Sequence, residues 1–296
     1  MIIHYVGHGG ETGWAEERVL TNDDINSWTN INKLPVFITA TCEFSRWDDP
    51  ARTSSGEKIL LSATGGGVAL FSTTRLVFAS SNEVLNRALI KFMFDDPTYR
   101  LGDIMVASKT DPGNLNLNTR NFSLLGDPAL RLHYPKFNIE ATQINTQPII
   151  ALNDTLSSLE KVTIAGRIVK GGQLQSDFNG FMYPTVYDKA SSITMLRNDA
   201  SSPNITFKLQ KNILYKGKAT VKNGEWSFTF IVPKDISYQF GLGKLSFYAE
   251  NGVEDGAGYF DSIVVGGSSA NIISETDGPG IKLYLNDERF AFGGTT

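Results

Sequence analysis

The chain has 296 residues, of which 41% are hydrophobic, 11% aromatic and 20% charged. That balance excludes a disordered tail, and at roughly 150 residues per domain the length gives about two domains, each able to bury its own core. A formal charge of −4 leaves no electrostatic reason to seek phosphate backbones, so nucleic acid is not an expected partner. The single cysteine, Cys42, excludes an intrachain disulfide and is either a small buried hydrophobe or a reactive thiol.

No stretch approaches the roughly 20 apolar residues of a bilayer span, and the start lacks the basic flank and cleavage site of a signal peptide. Met1 leads directly into 2–6, which reads as a buried strand with neither turn nor cap before it. The expectation is an internal fragment of a longer protein, for which a missing signal peptide says nothing about compartment. Up to about residue 134, strand-like runs at 2–6, 34–41 and 68–72 alternate with helical candidates at 56–61, 81–94 and 101–109. The run 81–94 places Val84, Leu85, Ala88, Leu89, Phe92 and Met93 on one helix face, with Ser81 and Asn82 as candidate caps. Apolar strands in βα succession predict a parallel sheet covered by helices. From about residue 135 the texture becomes short alternating runs separated by turn signals such as Lys222-Asn223-Gly224, which predicts an all-β sandwich with Trp226, Phe228 and Phe230 in its core. After the breaker Asp277-Gly278-Pro279-Gly280, the run Ile281-Lys282-Leu283-Tyr284-Leu285 predicts a further β element.

In a parallel sheet the carboxyl ends of neighbouring strands meet at one edge, where α/β sites are built. The first strand leads into Gly7-His8-Gly9-Gly10 and the second, about 34 positions later, into Cys42-Glu43, so His8 and Cys42 are expected to face each other. The thiolate is the nucleophilic form of cysteine, and a neighbouring imidazole both favours it and supplies the proton that a leaving group needs. Gly7, Gly9 and Gly10 let the backbone turn sharply and bring N–H groups to a substrate carbonyl, as an oxyanion site requires. On the residues alone two readings of each group stand: Cys42 is a nucleophile or a packed strand end, and His8 a base or a structural residue. Glu11 and Glu43 are auxiliary candidates for tuning the imidazole, or solvated loop carboxylates. Asp48-Asp49 fall far short of a calcium shell, Gly65-Gly66-Gly67 lacks the Lys-Ser/Thr of a phosphate loop and reads as a tight turn, and His133 reads as structural. Neither metal nor cofactor is expected.

Val6-Gly7-His8-Gly9-Gly10-Glu11 with Ala40-Thr41-Cys42-Glu43-Phe44-Ser45 resembles the His and Cys signatures of the gingipain-type cysteine peptidases, and the run 121–132 resembles the segment that closes their catalytic domain. More narrowly, the runs 4–10, 14–20, 41–48 and 277–287 resemble the sortase branch of that family, which serves type IX secretion. The resemblance implies a caspase-like fold, with Cys42 attacking the scissile carbonyl, His8 as general acid/base, and the peptide N–H groups of Gly9 and Cys42 holding the oxyanion. It implies a bacterial surface enzyme that removes the carboxy-terminal signal domain of exported cargo and can attach the new end to an anionic lipopolysaccharide. The implied partners are that cargo and an outer-membrane β-barrel anchor. A broad secreted endopeptidase and a non-catalytic surface-binding module are the rivals. The expectation is therefore α/β plus all-β: residues 1–134 as the carboxy-terminal part of a caspase-like catalytic domain, 135–267 as an Ig-like β sandwich, and 268–296 as the start of a further β element. Two strands and two helices of the caspase-like domain are not expected here, which leaves an open apolar strand edge.

Overall fold

The computed structural model describes residues 1–149, 155–197 and 202–269; the β element expected at 281–285 lies outside them. The chain divides into two compact units, Met1–Tyr134 and Pro135–Thr296.

In the first unit, strand β1 (Ile2–Val6) runs into a small meander of β2 (Gly9–Gly10), β3 (Gly13–Trp14) and β4 (Leu20–Thr21), followed by helix α1 (Asn22–Ser27). Then come β5 (Val36–Ala40), α2 (Ser55–Leu61), β6 (Ala69–Thr73), α3 (Ala79–Asp95), α4 (Leu101–Thr110), α5 (Leu117–Arg120) and β7 (Phe122–Gly126). The main sheet has the order β1-β5-β6-β7, with β1, β5 and β6 parallel and β7 antiparallel to β6. Every residue of β5 and β6 is buried, because both faces are covered. Val36, Ile38, Ala40, Ala69 and Phe71 pack with α3 and α4, while Phe37 and Leu70 pack with Trp14, Leu20, Ile25, Phe44 and Ile59.

Local chemistry sets the helix starts. The Asp24 carboxylate accepts from the Thr21 N–H at 2.8 Å and the Thr21 hydroxyl from the Asp24 N–H at 3.3 Å; the Glu57 carboxylate accepts from the Ser54 N–H at 2.8 Å. Both are capping boxes legible as T-x-x-D and S-x-x-E. Two expectations are corrected. The strand 2–6 is not buried but forms the sheet edge, with Val6 56% exposed, since among the described residues only β5 pairs with it. Ser81 and Asn82 do not cap α3, which begins two residues before Ser81; the Phe78 N–H instead donates to the Asn118 side chain at 2.7 Å.

The second unit is all β. Its strands are β8 (Phe137–Ile144), β9 (Gln147–Pro148), β10 (Thr155–Ser158), β11 (Lys161–Lys170), β12 (Gln173–Leu174), β13 (Gly180–Tyr187), β14 (Ser191–Thr194), β15 (Thr206–Leu209), β16 (Ile213–Lys216), β17 (Ala219–Lys222), β18 (Glu225–Ile231), β19 (Gly241–Glu250) and β20 (Asp255–Ser268). Apart from the separate β14–β15 pair, the strands form one sheet in the order β10-β20-β19-β13-β17-β18-β11-β8-β9, with β12 added on β11 and β16 on β13, and it returns on itself where β20 also pairs with β8. Trp226, Phe228 and Phe230 point into its core. The turn Lys222-Asn223-Gly224 forms as read: Asn223 and Gly224 have φ of 52° and 77° and join two strands closed by the Lys222–Glu225 pair.

Candidate active site

The parallel register between β1 and β5 places Val6 opposite Ala40. His8 and Cys42 each lie two residues further on, so the two backbones leave the sheet side by side at its carboxyl edge. The Gly7 N–H still donates to the Ala40 carbonyl at 3.4 Å. Side-chain alternation gives the same phase on both strands: Ile2 on β1 and Ile38 and Ala40 on β5 belong to the cluster under α3 and α4, and the His4 ring contacts Asn86 of α3 at 2.7 Å. Cys42 continues that phase and packs against the same cluster.

The Cys42 thiol donates to the Val77 carbonyl, with the sulfur 3.6 Å from the oxygen. The chain then reverses at once, because Glu43 sits in the left-handed region with φ 50° and its N–H donates to the Arg75 carbonyl at 3.3 Å. Behind the turn is a buried hydroxyl network: Thr39 and Ser45 each bond Ser72 at 2.7 Å, and the Thr73 hydroxyl donates to the Thr41 carbonyl. Asp48 is paired with Arg75 through bonds of 2.9 and 2.5 Å, and the arginine holds its carboxyl below the ordinary carboxylate range.

On the other strand, the His8 carbonyl is fixed by the Tyr5 hydroxyl at 2.6 Å and the Ala15 N–H at 2.8 Å. Tyr5 lies flat on Trp14, ring centroids 4.4 Å apart and planes 4° from parallel. The exposed His8 side chain borders a cavity of about 710 Å³ that Thr12, Glu16, Arg18 and Asp23 also line. Cys42 is not among the residues lining this cavity, and among the described residues no hydrogen bond joins the His8 ring to the Cys42 sulfur.

The glycines act differently from the expectation. Gly7, Gly9 and Gly10 are not in the left-handed region; the turning residues are Gly13, Ala15 and Arg18, with φ of 151°, 58° and 57°. What Gly9 provides is close approach, since a Cβ there would stand 2.6 Å from the Thr41 hydroxyl and 2.8 Å from the Gly13 carbonyl. That contact sets the Gly9 backbone against the side chain of Thr41, the residue before Cys42.

Glu11 is not a solvated loop carboxylate. Its side chain is 10% exposed, and its two oxygens accept from Arg46 at 2.9 Å and Arg52 at 3.0 Å. Glu43 stands 3.6 Å from Arg46. Both auxiliary candidates are therefore engaged by arginine. The sequence reading missed Arg46, Arg52, Tyr5 and the Val77 carbonyl; only Tyr5, on the strand face opposite His4, carried a readable signal. Among the described residues no group of three or more metal-ligating side chains is found, and no helix is long and apolar enough to cross a membrane.

Residues 1–133 match the model of peptidase family C25. Among solved structures the chain is similar to the dimeric latent PorU from Porphyromonas gingivalis, at 25% identity over 77% of this chain, with a TM-score of 0.47. It is also similar to the complex of the pro- and mature domains of RgpB from the same organism, at 17% identity over 89% of this chain and a TM-score of 0.40, and to the Arg-specific cysteine proteinase gingipain R, at 18%, 89% and 0.38. The chain spans 22% of the PorU chain and 54% and 52% of the other two. Among curated proteins none matches. The match to peptidase family C25 thus falls on the segment that carries the His8 and Cys42 strand ends.

Proposed function

We propose that this chain carries the nucleophile and acid/base of a cysteine peptidase built on a caspase-like sheet, with an Ig-like β unit following it. The carrying observation is the β1–β5 register, which sets His8 and Cys42 at equivalent positions beyond adjacent parallel strands within a segment matching a peptidase family. His8 takes the Cys42 proton, the thiolate adds to the scissile carbonyl, and N–H groups at Gly9 and Cys42 receive the oxyanion. The C–N bond then breaks, the departing amine takes the proton from the imidazolium, and a thioester remains. Water resolves it to an acid; an amine resolves it to a new amide, so one site supports hydrolysis and transpeptidation.

The finer proposal is a sortase acting at the cell surface on cargo bearing carboxy-terminal signal domains, held by an outer-membrane β-barrel. A broad secreted endopeptidase differs in the resolving nucleophile, and product analysis with an added amine separates the two. The non-catalytic reading draws on a specific observation, the Cys42 thiol bonded to Val77 while His8 faces a cavity that Cys42 does not line. The deciding measurement uses the fact that Cys42 is the only thiol. Iodoacetamide should label it at pH 7, and His8→Ala should slow labelling by about ten-fold or more. Equal rates in the two proteins would favour the non-catalytic module.

A further inference from the structure

Glu11 lies three residues after His8, and Arg46 lies four after Cys42; the two meet in an ion pair of 2.9 Å. The second carboxylate oxygen takes Arg52 at 3.0 Å, and Arg46 also reaches Glu43, the residue next to Cys42, at 3.6 Å. The main chain of Glu11 is held as well, its carbonyl accepting from the Ser55 N–H at 2.8 Å and the Ser55 hydroxyl at 3.1 Å. A carboxylate this buried, bonded to two guanidinium groups, is a stiff joint, since charge-assisted bonds are shorter and stronger than neutral ones. The joint ties the loop that follows His8 to the loop that follows Cys42. β1 and β5 fix these loops only as far as Val6 and Ala40, and His8 itself is exposed.

We infer that Glu11 is a positioning residue: through Arg46 it sets the separation between the His8 ring and the Cys42 sulfur on which proton transfer depends. This rests on the proposed Cys–His chemistry. The alternative, a purely electrostatic influence, has the opposite sign. Removing the negative charge leaves Arg46 and Arg52 unneutralised, which by itself favours the thiolate and speeds its reactions. Loosening the joint slows them.

The test follows iodoacetamide labelling of Cys42 against pH in the full 296-residue chain, with folding checked by circular dichroism. E11Q is expected to slow labelling at pH 7 by about ten-fold and to move its pH profile onto that of His8→Ala. E11D keeps the charge but shortens the reach, and it should slow labelling by about three-fold or more, so the test survives if E11Q does not fold. Unchanged or faster labelling in E11D, or faster labelling in E11Q, overturns the inference while leaving the dyad intact, provided His8→Ala is slow. If His8→Ala labels at the parent rate, the dyad falls and the positioning role falls with it.

Discussion

Thr41 stands between the last core residue of β5 and Cys42, 1% exposed, and among the described residues its hydroxyl has no hydrogen-bond partner. A buried hydroxyl without a partner retains its desolvation cost and returns nothing. Thr41→Val is therefore expected to leave stability unchanged or raise it by up to about 1 kcal/mol in urea titration, in contrast to the usual cost of changing a fully buried polar residue. Asp48 yields a pH prediction. Arg75 lowers its carboxyl from the ordinary value of 3.8, so the folded state binds that proton more weakly than the unfolded chain. The stabilisation is fully present above that ordinary value and is lost as pH falls through the lowered one. Asp48→Asn should flatten this part of the acid limb in thermal melts. At this scale the sequence supplied the residue types but not their partners. Glu11 reads as a loop carboxylate because Arg46 and Arg52 lie 35 and 41 positions away, and a chain distance of that size carries no local signal.

Among elements, β5 and β6 were legible because burial on both faces imposes an unbroken apolar or β-branched run. The meander β2–β4 was not, because two-residue strands have no periodicity. Phe37 shows how the two-sided core holds: it is 1% exposed, with ring centroids 5.9 Å from Trp28 and 6.2 Å from Trp14. Phe37→Ala should cost about 3–5 kcal/mol in denaturant titration. The turn into β6 depends on Gly66, whose φ of 97° lies in the left-handed region and where a Cβ would stand 2.0 Å from the Ile59 carbonyl. Asn30 clasps it, accepting from the Gly66 N–H at 2.9 Å and donating to the Gly66 carbonyl at 3.0 Å. Gly66→Ala should destabilise the first unit by about 1–3 kcal/mol, and a melting temperature equal to the parent's would show that the turn relaxes freely. The glycines flanking His8 tell the complementary lesson: composition announces freedom to turn, but which glycine uses it depends on contacts such as Gly9 with Thr41.

At the scale of the whole molecule, the side of β1 that has no partner strand among the described residues presents a row of backbone donors and acceptors, and such edges recruit other strands. Val6, on that edge and 56% exposed, is the place to add a charge. Val6→Lys should reduce concentration-dependent self-association in sedimentation while changing stability by no more than about 0.5 kcal/mol. Composition and periodicity alone determined that the chain folds, that α/β texture gives way to β texture near residue 135, and which two side chains follow the paired strands. These are local consequences of burial, since each strand or helix face must match its own layer. Only tertiary structure decided that β20 returns to β8, that Cys42 bonds the Val77 carbonyl, and that Glu11 joins two loops. Each of those depends on which distant segment fills the neighbouring space, and pairing energy between remote residues leaves no periodic trace in the order of amino acids.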